Sequence, residues 1–253
     1  MTFPMLCTPK RLPLDDETQQ GAADHAVEIN PVNAPRPMVA LPPQRIALLT
    51  SRYWGAAQRR LGVAFLERAG MDLRGRILHH MNAWADGGAG IQFAYAPSQP
   101  DVRITFMDDG YWSYLGTDVH QIPRGEPTMC LQGFTMSTSE AEYRRVVRHE
   151  AGHTLGFVHE HMRKELVARI DPNRAYVYFE RTQNWDAETV DQQVLTPLSA
   201  RSIMATPPDE TSVMCYQLPG AIMKDGKPII GGRDINESDQ SFANRVYPKL
   251  RSA

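Results

Sequence analysis

Cysteine is scarce in this chain. Cys7, Cys130 and Cys215 are the three among 253 residues, an odd and sparse set that makes no disulfide framework. The fold must therefore be held by its core and by any metal it binds, and such usage is compatible with a reducing compartment. Long apolar runs are missing as well. None approaches the ~20 residues that a membrane helix needs, and the longest early candidate, Ile46 to Leu49, is far too short. The opening stretch MTFPMLCTPKRLPLDDETQQ has no continuous apolar segment and is broken by prolines. No secretory signal is expected there, which leaves a cytoplasmic protein or one exported by a signal-independent route. Neither sign of charge dominates: 27 Lys and Arg stand against 29 Asp and Glu, a net charge of −2. Nothing in that balance suggests nucleic acid or an anionic membrane as partner. There is no internal repeat, no low-complexity tract and no Asp-rich loop that argues for calcium. What is present, 42% hydrophobic and 22% charged residues, is ordinary for a globular protein with a sizeable core.

Proline divides the chain. Eight of the 19 prolines fall in the first 43 residues. Residues 1 to about 50 therefore read as a Pro-rich extended arm or loosely docked pro-segment, dispensable for folding. Globular character begins near Arg52, Tyr53 and Trp54. LGVAFLE (61–67) reads as a strand. Asp72 is placed to cap a helix over 73–86, whose Ile77, Met81 and Trp84 share one face. IQFAYA (91–96), VRITFM (102–107) and TMCLQGF (128–134) are further strand candidates. Ser137 and Glu140 fit a capping box for a helix with Tyr143, Val147, Ala151 and Leu155 on its apolar stripe, ending at Gly156. Residues 206–236 are expected to be mostly irregular, and NESDQSFANRVYP to form a last helix closed by Pro248.

The richest segment is HEAGHTLGFVHE, His149 to Glu160. His149 and His153 stand four apart on a helix, so both imidazoles can reach one ion. A third ligand needs the chain to turn, and Gly156 can take the positive φ that reverses it. His159 then completes three nitrogen ligands. Three protein ligands with one open position mark a catalytic zinc, whereas a structural zinc is closed by four. Glu150 borders the same face and is expected to act as general base towards the attacking water. His25, His79, His80 and His120 lack ligand spacing. His161 is expected to point away from the metal, either solvated or just behind the ligands.

These residues resemble the metzincin clan, whose pattern is HExxHxxGxxH followed by a Met-turn. GFVHE is similar to the astacin-like branch, and DETSVMCY (209–216) resembles that family's Met-turn, with Asp209, Ser212, Met214 and Tyr216 at matching spacings. Ser238, Asp239 and Tyr247 resemble its closing helix. The resemblance spans roughly residues 50–250, in a bacterial-style variant. It implies that Met214 lies beneath the zinc as an apolar floor. It also implies that Tyr216 is a switchable ligand whose hydroxyl stabilises the tetrahedral intermediate. A second methionine, in Ser202 to Met204, offers a rival turn but has Thr206 where a tyrosine is required. The sequence departs from the family pattern at Cys215, where a histidine is usual, and lacks the family's disulfide cysteines and a pro-segment aspartate motif. Glu160 stands where the family contacts a freshly cut N-terminus. Cys7 could block the metal as a thiolate, but LCTPKR does not match the matrixin switch, so a free thiol is expected.

The expected fold is α/β (α+β), a metzincin-type zincin. A twisted mixed sheet, a backing helix and the zinc helix form an upper lobe over 51–156. An irregular lower lobe over 157–250 carries His159, the Met-turn and the final helix. TMCLQGF is expected to be the edge strand that receives an extended polypeptide antiparallel. The expected activity is hydrolysis of internal peptide bonds by a monomer with one catalytic zinc, held by His149, His153 and His159, with Glu150 and Tyr216 catalytic. Two alternatives stand beside it: a zinc-stabilised peptide-binding module with little turnover, and an exported effector protease with one target.

Overall fold

A computed structural model of the chain describes residues 7–13, 15–35, 50–57, 59–107, 109–198 and 207–249. Five strands form one mixed sheet in the order β2-β1-β3-β5-β4: β1 (Arg60–Phe65), β2 (Gln92–Tyr95), β3 (Val102–Thr105), β4 (Tyr111–Ser113) and β5 (Met129–Leu131). β1 runs parallel to β2 and β3, and β3 runs parallel to β5. β4 alone is antiparallel to its neighbour, with Trp112 opposite Cys130. Strands buried on both faces need no alternation, which is why Val102 to Thr105 and Met129 to Leu131 are buried throughout. The expected edge strand is thereby corrected. β5, within TMCLQGF, is an inner strand, and the edge is β4, whose Tyr111, Trp112 and Ser113 make no apolar run.

Helix α2 (Met71–Asp86) backs the sheet with Ile77, Met81 and Trp84 buried. Its N-cap is Gly70, without a side-chain bond. Asp72 lies inside the first turn, where a carboxylate suits the positive helix end, rather than at the cap. The zinc-motif helix α3 starts with an α-turn over Glu140–Glu142, passes through a π-helical stretch at Tyr143–Val147, and continues as α-helix over Arg148–Thr154. Its cap is Ser139, which accepts from the Glu142 N–H, and not Ser137. Gly156 has φ +87°, where a Cβ would press on Tyr53 and Arg52, so the reversal there requires glycine.

Beyond Gly156 the chain is more helical than expected. α4 (Lys164–Val167), α5 (Pro172–Gln183) and α6 (Ala187–Val190), the last running into a π-helical turn at Asp191–Leu195, precede the final helix α7 (Glu237–Val246). Residues 207–236 are irregular apart from a 3-10 turn at Gly220–Ile222. Two apolar clusters result. One joins sheet, α2, α3 and α7 through Trp54, Leu61, Ile104, Trp84, Leu155 and Tyr247. The other gathers Phe179, Val190, Leu218, Ile222 and Met223, and takes in Cys7 and Tyr216.

The N-terminal arm is not uniformly extended. Asp15 caps α1 (Asp16–Ile29), which buries Ala22, Ala23 and Ala26. Asn33 then ties it to the domain: its amide donates to the Ala26 and Tyr53 carbonyls at 2.8 Å each, and its oxygen accepts from the Tyr53 N–H. Residues 7–10 lie along the edge strand, with Cys7 bridged to Tyr111 in parallel sense. The Thr8 N–H donates to the Tyr111 carbonyl, and the Lys10 N–H to that of Ser113.

Candidate metal centre

α3 carries His149 and His153 on one face, and the reversal at Gly156 returns His159 to them. The three Nε2 atoms stand 3.0, 3.1 and 3.0 Å apart, and all three side chains are buried. Nδ1–H of His149 donates to the Val213 carbonyl at 2.6 Å, and Nδ1–H of His153 to that of Phe157 at 2.7 Å. Those bonds fix the tautomer, so at least two bare Nε2 lone pairs face each other across a hydrogen-bond distance with no proton to share. A cation placed among the three satisfies that arrangement. Donors ~2.0–2.1 Å from one tetrahedral ion stand ~3.3 Å apart, close to the spacing observed. Burial, above all, lowers His149 to about 4 and also pulls His153 and His159 down, which keeps them in the neutral, ligating form. The residues present therefore fit zinc.

Cys7 lies with them. Its thiol and the three histidine nitrogens all fall within 4.8 Å of one another. From the sequence it is expected to be an ordinary free thiol; in the structure it is a free thiol buried among the three histidine nitrogens, where it could serve as a fourth donor. Cys7 also meets the other two residues singled out for catalysis. Its thiol donates to Glu150 Oε2 at 3.3 Å, and its carbonyl accepts from the Tyr216 hydroxyl. Burial raises the Cys7 thiol and the Tyr216 phenol well above their usual values, and raises the Glu150 carboxyl to about 8. Glu150 Oε1 is buried without a protein partner.

The turn after Asp209 supports the cluster from below. Asp239 of α7 accepts from the Ser212 hydroxyl at 2.6 Å and the Val213 N–H at 2.9 Å, and Ser212 Oγ accepts from the Met214 N–H. Asp239 thus holds the turn that supplies the Val213 carbonyl to His149. Met214 packs so closely under α3 that a Cβ at Gly152 would overlap its sulfur. Gly152, which occupies the variable position before His153, is fixed by that contact, and the local spacing carries no hint of it. Glu160 accepts from Arg163 at 3.0 Å and from the Asp209 N–H at 3.2 Å. It lines a pocket of about 420 Å³ with Tyr53, Phe157, Asp209 and Met214. His161 is completely buried, so it is not the solvated residue that the sequence allowed. Cys215 is a buried free thiol. The rival turn at Ser202, Met204 and Thr206 lies outside the described residues.

Residues 50–248 match the family model of the astacin peptidases. A solved structure of myroilysin is 29% identical and superimposes with a TM-score of 0.73, covering 79% of this chain and 97% of that one. The high choriolytic enzyme 1 of the medaka fish Oryzias latipes, a hatching enzyme zinc-protease, is 19% identical with a TM-score of 0.53. The match covers 79% of this chain and 96% of that one, and it speaks for the fold alone. Zinc metalloproteinase nas-27 of Caenorhabditis elegans is 24% identical over 186 residues, 71% of this chain, but the match spans only 37% of that relative's length. With a family model covering most of its length and a zincin-type site built on the same motif, this chain belongs to the astacin family.

Proposed function

We propose that the chain is a zinc-dependent endopeptidase held latent by its own N-terminal arm. The observation that carries the reading is the engagement of Cys7. One residue of the arm meets the three histidines, the Glu150 carboxyl and the Tyr216 hydroxyl. A zinc held by His149, His153 and His159 supplies a Lewis acid that polarises a carbonyl and acidifies a water. Sulfur from Cys7 would close the fourth position, and a site closed by four protein ligands has the character of structural rather than catalytic zinc.

The remaining roles belong to the chain. With the arm in place, Glu150 faces the Cys7 thiol at 3.3 Å rather than an attacking water. When the arm leaves, water can enter beside Glu150, which can take a proton from the attacking water at a carboxylate oxygen and return it to the departing amide nitrogen. Tyr216, freed from the Cys7 carbonyl, can donate its O–H to the oxygen that gains charge. An extended polypeptide would replace the arm along β4, antiparallel to it, because an unpaired edge offers backbone bonds to any sequence. A pocket of about 520 Å³ beside Glu150, lined by Tyr111, Arg145, Val146 and Tyr216, leaves room for one of its side chains. A purely structural zinc would account for four donors, but it would have no use for a buried carboxyl with an unpartnered oxygen beside them.

The test compares the zinc-loaded full chain with Cys7→Ser on an unfolded casein-type substrate. Cys7→Ser is expected to cleave at least ~10-fold faster with unchanged zinc content, since a serine hydroxyl is a far weaker zinc ligand than thiolate. Equal rates would overturn the latency, and no cleavage by either protein would overturn the peptidase.

A further inference from the structure

Tyr216 packs against two imidazoles that also meet each other. Its ring lies 4.4 Å from that of His159, tilted by 55°. It stacks on His161 at 4.0 Å and 16°, and the two imidazoles are 4.9 Å apart. His161 has no place among the four metal-facing donors, yet both its ring nitrogens are committed. Nε2–H donates to the Gln193 carbonyl at 2.9 Å, and Nδ1 accepts from the Tyr216 N–H at 3.4 Å. The Gln193 carbonyl belongs to the last turn of the helix that ends at Leu195. A carbonyl there has no N–H of its own helix to accept from. The next N–H, of Thr196, turns back to Asp191, and that of Leu198 goes to Met162. His161 therefore satisfies an orphaned buried acceptor and is locked in one tautomer and one ring plane by doing so.

We propose that His161 is a positioning residue for Tyr216. It sets the plane of the phenol against His159 and keeps the hydroxyl directed into the cleft, at the Cys7 carbonyl in the latent chain and at the substrate once the arm has gone. The second half rests on the peptidase reading above; the first does not. Leucine would fill the space but could neither stack nor bond, and the phenol would gain freedom about its side-chain torsions. Glutamine keeps a planar amide and a donor towards the Gln193 carbonyl. Preorganisation of a donor matters in the reacting state, where charge develops, more than in substrate binding.

Two measurements test this. In a Cys7→Ser background, His161→Leu is expected to lower kcat about 10-fold with KM within 2-fold. His161→Gln should recover most of that loss, and the loss should vanish when Tyr216→Phe is already present. Independently of turnover, the wild-type full chain is labelled with 3-fluorotyrosine. Of the nine tyrosine signals, the one absent in Tyr216→Phe identifies Tyr216. That signal should shift and broaden in His161→Leu, less so in His161→Gln, with zinc content unchanged. A fluorine signal unmoved in both variants would overturn the positioning role, as would an equal loss of kcat with and without Tyr216→Phe. If His161→Leu does not fold, His161→Gln decides in the same way. If no form cleaves peptide, the fluorine signal alone decides.

Discussion

A carboxyl that faces the Cys7 thiol at 3.3 Å can serve as a base only when that contact is gone. Glu150→Gln keeps the shape and the hydrogen-bonding capacity towards Cys7 but cannot take a proton. In the arm-released enzyme it should lower kcat by ~10²–10⁴, the usual range for a general base, while metal analysis still finds one zinc per chain. Retention of near-normal turnover would assign the base elsewhere. The histidines and Glu150 were legible because a helix turns spacing into proximity: four residues apart means one face, and Gly156 permits the return of His159. Cys7 was not legible. It meets Glu150 across 143 positions, and no local periodicity encodes such a contact. Its short flanking segment lacks a recognisable switch pattern and pairs with the edge strand mainly through backbone groups, which any sequence supplies.

At the scale of elements, α3 is built around close approach. Gly152 faces Met214 and Trp84, and the Trp84 indole N–H donates to the Arg148 carbonyl at 2.8 Å. Gly152→Ala should gain helix propensity of up to about 1 kcal/mol. It also drives a methyl into the methionine and the indole, and such overpacking costs about 1–3 kcal/mol. A melting temperature lowered relative to wild type, together with weaker zinc retention against a chelator, is the expected outcome; an unchanged or raised melting temperature would show that Met214 moves aside freely. The strands β1, β2, β3 and β5 are readable from their apolar runs, whereas β4 mixes Tyr111, Trp112 and Ser113 and makes no such run. α1 was hidden among prolines because its buried face is alanine, which carries little apolar signal. α5 did carry its signals, with Asp171 as cap, Pro172 at the first position and Asn184 in the left-handed region.

For the molecule as a whole, the buried histidines set the response to acid. Burial lowers His149 to about 4 and His161 to about 3, with His153 and His159 also far below normal. In the metal-depleted protein all four stay neutral well below pH 6.5, while the unfolded chain takes up protons there. Their stabilising contribution is thus present above about pH 6.5 and is lost as pH falls towards 4, each at up to about 1.4 kcal/mol per pH unit. Glu150, raised by burial, works in the opposite sense: its contribution is present below about pH 4.5 and is lost as pH rises through about 8. Four groups outweigh one, so the melting temperature of the metal-depleted protein should drop steeply between pH 6.5 and 5. A flat profile over that interval would mean that the histidines are hydrated in solution. The arm that covers this centre is part of the same polypeptide, and that has a kinetic meaning. A tethered blocking group competes at an effective concentration that no dilution alters, of millimolar order for short flexible connections. Once the connection is severed, the same contacts must hold a free peptide, and occupancy then depends on how much of it is present. Diluting the intact chain should leave its activity per molecule constant, whereas diluting the nicked chain should raise it, so on the latency proposed above a single cut would turn a block that dilution cannot relieve into one that it can.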